Sequence, residues 1–228
     1  MAYESDDEQI EALKNWWKEN GTSVIVGVIV VLLVLFSSRQ WQSMSTDNTE
    51  QASMLYQDMA EVIVVNAETP VIEEELERMK GLNEQLRTEY EDSIYTRFAA
   101  LLMAKLYVEQ DELALAADEL NWVLDNPGLG LLKEADEELY LTARLRLARI
   151  VLSQGEAQAA IDLLREVEPG AFTGSFAELE GDAQLALGRI GDARSAYQLA
   201  LESATNPDLL ELKIADLSVS SEQLITVE

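Results

Sequence analysis

Cysteine and histidine are both absent from this chain of 228 residues. The missing cysteines exclude disulfides, thiolate nucleophiles, cysteine-ligated zinc, iron–sulfur clusters and lipid attachment at an N-terminal cysteine. The missing histidines exclude Ser-His-Asp triads, histidine-ligated metals and the usual general base near neutral pH. We therefore expect a protein that is not an enzyme and that holds neither a cofactor nor a metal. A membrane-bound enzyme of unknown type is the alternative.

Basic residues are also scarce, with 16 Lys and Arg against 43 Asp and Glu and a formal net charge of -27. A surface this acidic repels phosphate backbones, so we expect no nucleic-acid partner. The acidic residues recur in short clusters, at 73–75, 91–92 and 136–138. Neighbours in sequence do not face each other on a helix, so these clusters are poor carboxylate pairs for catalysis or metal binding. We interpret them as a solvated face.

One long run near the start of the chain carries no charge. It covers residues 20–38, and its centre from Val24 to Phe36 is almost wholly Val, Ile and Leu. Nineteen residues at 1.5 Å per residue span roughly 28 Å, about the thickness of the bilayer core. Trp16 and Trp17 precede the run and Trp41 follows it, which is typical of aromatic residues at membrane interfaces. The sequence predicts a transmembrane helix over residues 21–40.

Two other interpretations of this run are a cleavable signal peptide and a buried core helix. A signal peptide requires a basic start, whereas residues 1–20 hold two lysines and six acidic residues. Lys14 and Lys18 before the span, against Arg39 just after it, favour a cytoplasmic N-terminus for residues 1–20. Gly27 forms a small-xxx-small pair with Ser23, which could seat another membrane helix.

The rest of the chain has helical spacing of its apolar residues and only four prolines, each of which reads as helix punctuation. We predict helices over residues 48–66, 71–90, 93–110, 112–125, 131–154, 156–167, 173–187, 191–204 and 207–217. Residues 218–228 are polar, and we expect them to be loose.

Three pairs of these helices can be superimposed. Ala116, Ala160 and Ala193 begin the packed face of a second helix, and a turn residue stands five positions before each of them: Asp111, Gly155 and Gly188. Twelve positions before each alanine, the first helix carries a small residue: Ala104, Ala148 and Gly181. The alanines are 44 and 33 residues apart, close to the tetratricopeptide period of about 34, with a longer loop around residues 127–133. An ordinary helical bundle, which also uses alanine at close contacts, is the alternative.

The predicted fold is therefore all-α: one N-terminal transmembrane helix, then a tetratricopeptide-like α-solenoid of antiparallel helix pairs in residues 41–228. First helices line the inner face of such an array, and a mixture of apolar and charged residues there suits an extended or helical peptide. The hypothesis is that these residues together form a partner-binding surface, because any one of them taken alone is as well explained by helix packing or solvated surface. The candidates are Phe98, Leu101, Lys105, Val108, Thr142, Leu145, Arg149, Leu152, Ser175, Glu178, Asp182 and Leu185.

Three stretches carry a resemblance to a known family. They are Glu8-Gln9-Ile10-Glu11-Ala12-Leu13-Lys14 with Trp16-Trp17 and Glu19-Asn20-Gly21, then Leu145-x-Leu147-Ala148-Arg149, and Gly188-x-x-Gly191-Asp192-Ala193-Arg194-Ser195-Ala196-Tyr197. Their order along the chain resembles the YfgM family, the ancillary subunit of the bacterial SecYEG translocon.

The resemblance implies an inner-membrane protein whose C-terminal domain lies in the periplasm. Its implied partners are the SecYEG translocon, a membrane-anchored periplasmic chaperone of the parvulin type, and secreted and outer-membrane client proteins. The family is also ascribed a second role, the restraint of a cytoplasmic stress-response regulator, which would run through residues 1–20. The anchor residues would be Trp16, Trp17, Val24, Gly27, Phe36 and Trp41.

Overall fold

The computed structural model describes residues 48–63, 71–128, 133–204 and 207–225, and their side chains except at 133–134 and after residue 217. Residues 1–51 and 52–228 form two compact units. Of the first unit only the helical residues 48–51 are described, and the remaining described residues belong to the second. The predicted transmembrane helix, with Trp16, Trp17, Val24, Gly27, Phe36 and Trp41, lies outside the described residues. Within the described ranges, no helix combines the length and apolarity needed to cross a membrane.

Every regular element in the described ranges is a helix. Residues 48–63 are helical and are called α1. The remaining helices are α2 (Glu73–Glu89), α3 (Ile94–Glu109), α4 (Leu113–Asp125), α5 (Lys133–Ser153), α6 (Ala157–Arg165), α7 (Thr173–Ala186), α8 (Ile190–Glu202) and α9 (Asp208–Ile225), with a 3-10 turn at Gly170–Phe172. For the helices after α1, the predicted boundaries agree to within two residues, except at the end of α9.

The expectation that residues 218–228 are loose is wrong for residues 218–225, which continue α9 to Ile225. No glycine or proline follows Pro207, so nothing in the backbone forces the helix to stop. The serines in this segment have only modest helix propensity, but that cost is a fraction of a kcal/mol per residue (about 0.5) and does not end a helix already formed.

The three superimposed helix pairs share one turn geometry. Asp111, Gly155 and Gly188 all have positive φ, at 63°, 87° and 72°. At each turn the next residue donates its backbone N–H to the carbonyl five positions earlier, as in Glu112 N to Tyr107 O at 2.8 Å and Arg189 N to Gln184 O at 2.9 Å. This is the Schellman ending of a helix, which requires a residue tolerant of the left-handed region. Aspartate is one of the few residues other than glycine that adopts it.

The core consists of three clusters that follow the helix pairs. The first joins α1 to α5, the second joins α5, α6 and α7, and the third joins α7, α8 and α9. Neighbouring clusters share a first helix: Leu147 and Ile150 of α5 belong to the first cluster, whereas Leu145 and Ala148 belong to the second. Each pair thus contacts the next along the chain, which is the architecture of a repeat solenoid rather than of a closed bundle.

The small residues predicted at the close contacts occupy those contacts. Ala116, Ala160 and Ala193 are fully buried. In the last pair, a Cβ added to Gly181 would lie 2.5 Å from Cδ1 of Tyr197, whose side chain is 1% exposed. Only glycine lets α7 and α8 approach this closely over the tyrosine ring.

A buried ion pair joins α3 to α5 across the longer loop. Arg97 Nη2 lies 2.7 Å from Asp136 Oδ1, with side chains 3% and 8% exposed. Gly128, at φ 87°, covers the pair so closely that a Cβ there would lie 2.7 Å from Arg97 Nη2. The interpretation of residues 136–138 as a solvated face is therefore wrong for Asp136, because its carboxylate is held in the interior by an arginine 39 residues away in sequence.

Candidate partner-binding face

The inner face is the side of α3, α5 and α7 that is turned away from the second helices α4, α6 and α8. On α5 this side can be located from Arg144, which donates to the carbonyl of Leu163 in α6 at 3.1 Å. Arg146 lies about 200° around the helix from Arg144 and therefore points away from α6. Thr142, Arg146 and Arg149 follow one another at helical spacing on this side.

Some of the predicted groove residues form part of the core instead. Leu101 and Leu145 are 7% and 6% exposed and pack within the first and second clusters. The prediction that they line an open surface is corrected, because these positions lie on the flank of the first helix that meets the next pair. Leu152 is half-buried against the second cluster, whereas Val108 and Leu185 are exposed.

An aromatic trio forms the α3 end of the inner face. The ring of Phe98 lies 5.8 Å from that of Tyr56 in α1 and 6.2 Å from that of Tyr95, centroid to centroid. All three side chains are half-buried. Such a cluster offers an apolar surface with polar edges, the kind of surface on which partner side chains commonly pack. Nearby on α3, the exposed Lys105 pairs with Glu109 of its own helix at 3.3 Å.

The middle of the face holds two arginines, Arg146 and Arg149, on α5. Arg146 is half-buried and donates to the carbonyl of Leu101 in α3 at 3.2 Å. Burial, followed by the neighbouring Arg149 charge, lowers the pKa of Arg146. Arg149 is exposed. Across the described ranges, no carboxylate lies within the 4.0 Å ion-pair distance of either guanidinium.

The α7 end of the face is occupied by a side chain of the same protein. Lys213 of α9 donates to Glu178 at 3.0 Å and to Asp182 at 2.7 Å. Tyr197 completes this Lys213 cluster, because its hydroxyl donates to Asp182 at 2.7 Å and its ring lies 5.3 Å from the ammonium. Burial alone lowers the pKa of Lys213, but its hydrogen bonds to Asp182 and Glu178 raise it overall. Lys213 thus offsets one of the two negative charges of Glu178 and Asp182, and the open part of the face is on α3 and α5.

In the described part of the chain, no group of three or more acidic side chains is placed to hold a metal ion. The sequence interpretation placed Phe98, Lys105, Thr142 and Arg149 on the inner face and did not include Arg146. Its signal was available, because Arg146 lies four residues after Thr142 and three before Arg149 on one helical side.

Comparison with known proteins places this architecture in a family. A model of the tetratricopeptide repeat-like domain matches residues 14–219. The ancillary SecYEG translocon subunit of Escherichia coli is 31% identical over 95% of this chain and 98% of its own length. Proteins of the same name from Haemophilus influenzae and Aggregatibacter actinomycetemcomitans are 29% and 28% identical, over 97% and 95% of this chain and the full length of each relative.

The chain belongs to the tetratricopeptide repeat-like family of ancillary SecYEG translocon subunits. The resemblance stated from the sequence is therefore confirmed, and so is the tetratricopeptide-like arrangement of its helix pairs. The match to the family model begins at residue 14, so it includes the uncharged run as well as the repeats.

Proposed function

We propose that this protein is a non-catalytic accessory subunit of the SecYEG translocon. The observation that carries the proposal is the near full-length similarity to ancillary subunits of that name, together with repeats of the same family. The inner face supports it, because a surface with aromatic and unpaired basic side chains is suited to binding protein segments.

The proposed location is the inner membrane, with residues 21–40 as the single span, residues 1–20 in the cytoplasm and residues 41–228 in the periplasm. The two lysines before the span support this orientation. A membrane anchor confines the repeats to the plane in which the translocon sits and raises their effective concentration there. Weak binding by the inner face would then be enough for transient partners.

The proposed periplasmic partners are a membrane-anchored chaperone of the parvulin type and secreted or outer-membrane proteins that emerge from the channel. These partners would use the repeat domain, whereas the translocon itself would be contacted mainly by the span and its flanking tryptophans. A second proposed role, the restraint of a cytoplasmic stress-response regulator, would use residues 1–20.

The experiment separates the two contributions by co-purification from membranes in mild detergent, followed by mass spectrometry. One variant replaces residues 21–40 with an unrelated span, and a second carries Lys105→Glu with Arg149→Glu. We expect the first to lose the translocon and the second to lose periplasmic partners while keeping the translocon. Arg78→Glu with Arg165→Glu is the control, because it reverses two exposed charges on α2 and α6 and leaves the first helices α3, α5 and α7 unchanged. Retention of the translocon by the span replacement, or its absence from the wild-type sample, would contradict the proposal.

A further inference from the structure

Arg146 and Arg149, the arginine pair on α5, differ from most other basic side chains of the described ranges in their lack of a nearby carboxylate. Most basic side chains in the described ranges lie within 4.0 Å of a carboxylate. They are Arg78, Lys80, Arg87, Arg97, Lys105, Arg144, Arg165 and Lys213. In a chain with 43 acidic residues, a basic side chain without such a partner is unusual. Arg189 also lacks one there, but it donates to the side chains of Gln158 and Gln184, and Arg194 makes an interaction of its own. Among the described residues, no carboxylate lies within 4.0 Å of Arg146 or Arg149, although the two are one turn apart and repel each other.

The two guanidinium groups are also placed where a partner could reach them. Arg149 is exposed, and Arg146 is fixed by its bond to the carbonyl of Leu101. A guanidinium presents planar N–H donors that match a carboxylate, and it keeps its charge when it is partly buried. Because Arg146 is already held in place, a carboxylate that binds there orders little additional side-chain structure.

Apolar surface lies beside the pair on the neighbouring first helix. Phe98 packs with Tyr56 and Tyr95, and all three rings keep part of their surface free. At the other end, the Lys213 cluster leaves no free positive charge for an anion. The face therefore offers basic groups in its middle and aromatic groups at one end.

We infer that the inner face of α3 and α5 is a docking site for a partner segment that carries carboxylates next to an apolar or aromatic side chain. Arg146 and Arg149 bind the carboxylates, and the trio of Tyr56, Tyr95 and Phe98 receives the apolar side chain. This inference deepens the proposed function, on which it rests, by naming the chemistry of the periplasmic segment that the repeats accept.

The net charge of the protein does not prevent such binding at physiological salt. The Debye length is about 8 Å at 0.15 M ionic strength, so acidic side chains farther away are largely screened. Contacts with a half-buried guanidinium are screened much less. Local attraction therefore outweighs the overall repulsion for a segment that reaches the pair, while other acidic surfaces stay repelled.

The test uses the purified full-length chain in detergent and two short fluorescent peptides with the same apolar residues. One peptide carries glutamates around a phenylalanine and a leucine, and the other carries lysines at the same positions. We expect the acidic peptide to bind and Arg149→Gln to weaken it about fivefold in about 0.15 M salt. Adding Arg146→Gln weakens it further, to roughly tenfold or more. Arg149→Lys, which keeps the charge, recovers part of the affinity.

Arg78→Gln is the matched control, because it removes one exposed charge elsewhere, and its affinity for the acidic peptide should equal that of the wild type. Equal binding of the acidic and basic peptides, or unchanged affinity in Arg149→Gln, overturns the inference. Displacement of the peptide by inorganic polyphosphate at equal charge also overturns it, because the pair would then be a general anion site. The peptide assay contains no translocon. A negative result there would therefore overturn only this inference, and the co-purification experiment would still test the proposed function.

Discussion

The first and last junctions of the repeat array are stabilised by different kinds of interaction. At the first junction, between α3 and α5, the contact is the buried ion pair of Arg97 and Asp136 under Gly128. At the last junction, between α7, α8 and α9, the contacts are the close approach of Gly181 to Tyr197 and the half-exposed Lys213 cluster. The first depends on charges that cannot reach water, and the second depends on shape and on polar groups that partly can. We therefore expect the first junction to be the more sensitive to single substitutions.

The largest expected effect is at the first junction. Arg97→Ala leaves the Asp136 carboxylate buried without its partner, so the free energy of unfolding should fall by about 3–5 kcal/mol. Chemical denaturation of the full-length protein in detergent measures this change. The double variant Arg97→Met with Asp136→Leu should recover most of the loss, because it removes both buried charges. A loss in Arg97→Ala no greater than in the exposed Arg78→Ala would contradict the comparison.

The next effect is at the last junction. Gly181→Ala places a methyl group against the ring of Tyr197, and overpacking of this kind costs about 1–3 kcal/mol. Gly181→Leu should cost at least as much. Gly81 provides the control, because a Cβ there meets nothing within 4 Å, so Gly81→Ala should be neutral or stabilising by up to about 1 kcal/mol. An unchanged melting temperature in both Gly181 variants would mean that the close approach of α7 and α8 is wrong.

A smaller effect is expected from the Lys213 cluster. Lys213→Met removes the ammonium that pairs with Glu178 and Asp182, at a cost of about 1 kcal/mol because the site is only partly buried. Hydrogen exchange should show faster opening of α9, with little change in α3 and α5. Exchange that accelerates equally in all helices would show that α9 does not open separately.

The smallest effect is a pH dependence at Glu119 of α4, whose carboxylate accepts hydrogen bonds from Asn83 and Arg87 of α2. Burial raises the pKa of Glu119, and the opposing contributions of Arg87 and Asn83 do not cancel that rise. The folded state therefore holds the proton more tightly, and this group's contribution to stability falls as the pH rises from about 4.5 through the raised pKa.

Glu119→Gln cannot titrate, so the stability of the wild type relative to this variant should be lower at about pH 7 than at about pH 4. Denaturation of both proteins at the two pH values measures the difference. The exposed Glu84→Gln controls for the loss of one carboxylate. If the free energy of unfolding of the wild type rose relative to that of Glu119→Gln as the pH rises, the predicted direction of the pH dependence would be contradicted.

The repeat pattern was predictable where one local requirement recurs. Positions 111, 155 and 188 all require a residue that tolerates positive φ, and only aspartate and glycine stand there. Positions 116, 160 and 193 all require a side chain no larger than a methyl group, and all are alanine. Such requirements leave a periodic trace in the sequence, so the helix pairs and their turns could be placed from the sequence.

The candidate site was predictable only in outline. Helical spacing identified Phe98, Lys105 and Arg149 on one side of the first helices. It could not show that Leu101 and Leu145 turn into the core, or that Lys213 closes the α7 end of the face. A rotation of a fraction of a turn decides between surface and core, and that rotation depends on how neighbouring pairs pack.

The sequence by itself determined the helical class, the helix pairs and their turns, because these depend on residues a few positions apart. Within the described residues, the tertiary structure alone decided which charges are buried and which arginines have no carboxylate within 4.0 Å. Arg97 and Asp136 are 39 residues apart. In so acidic a chain, the sequence does not indicate which carboxylate pairs with Arg97. A charge is stabilised in the interior only when its partner is brought to hydrogen-bond distance, and that distance is set by the packing of α3, α5 and the loop through Gly128.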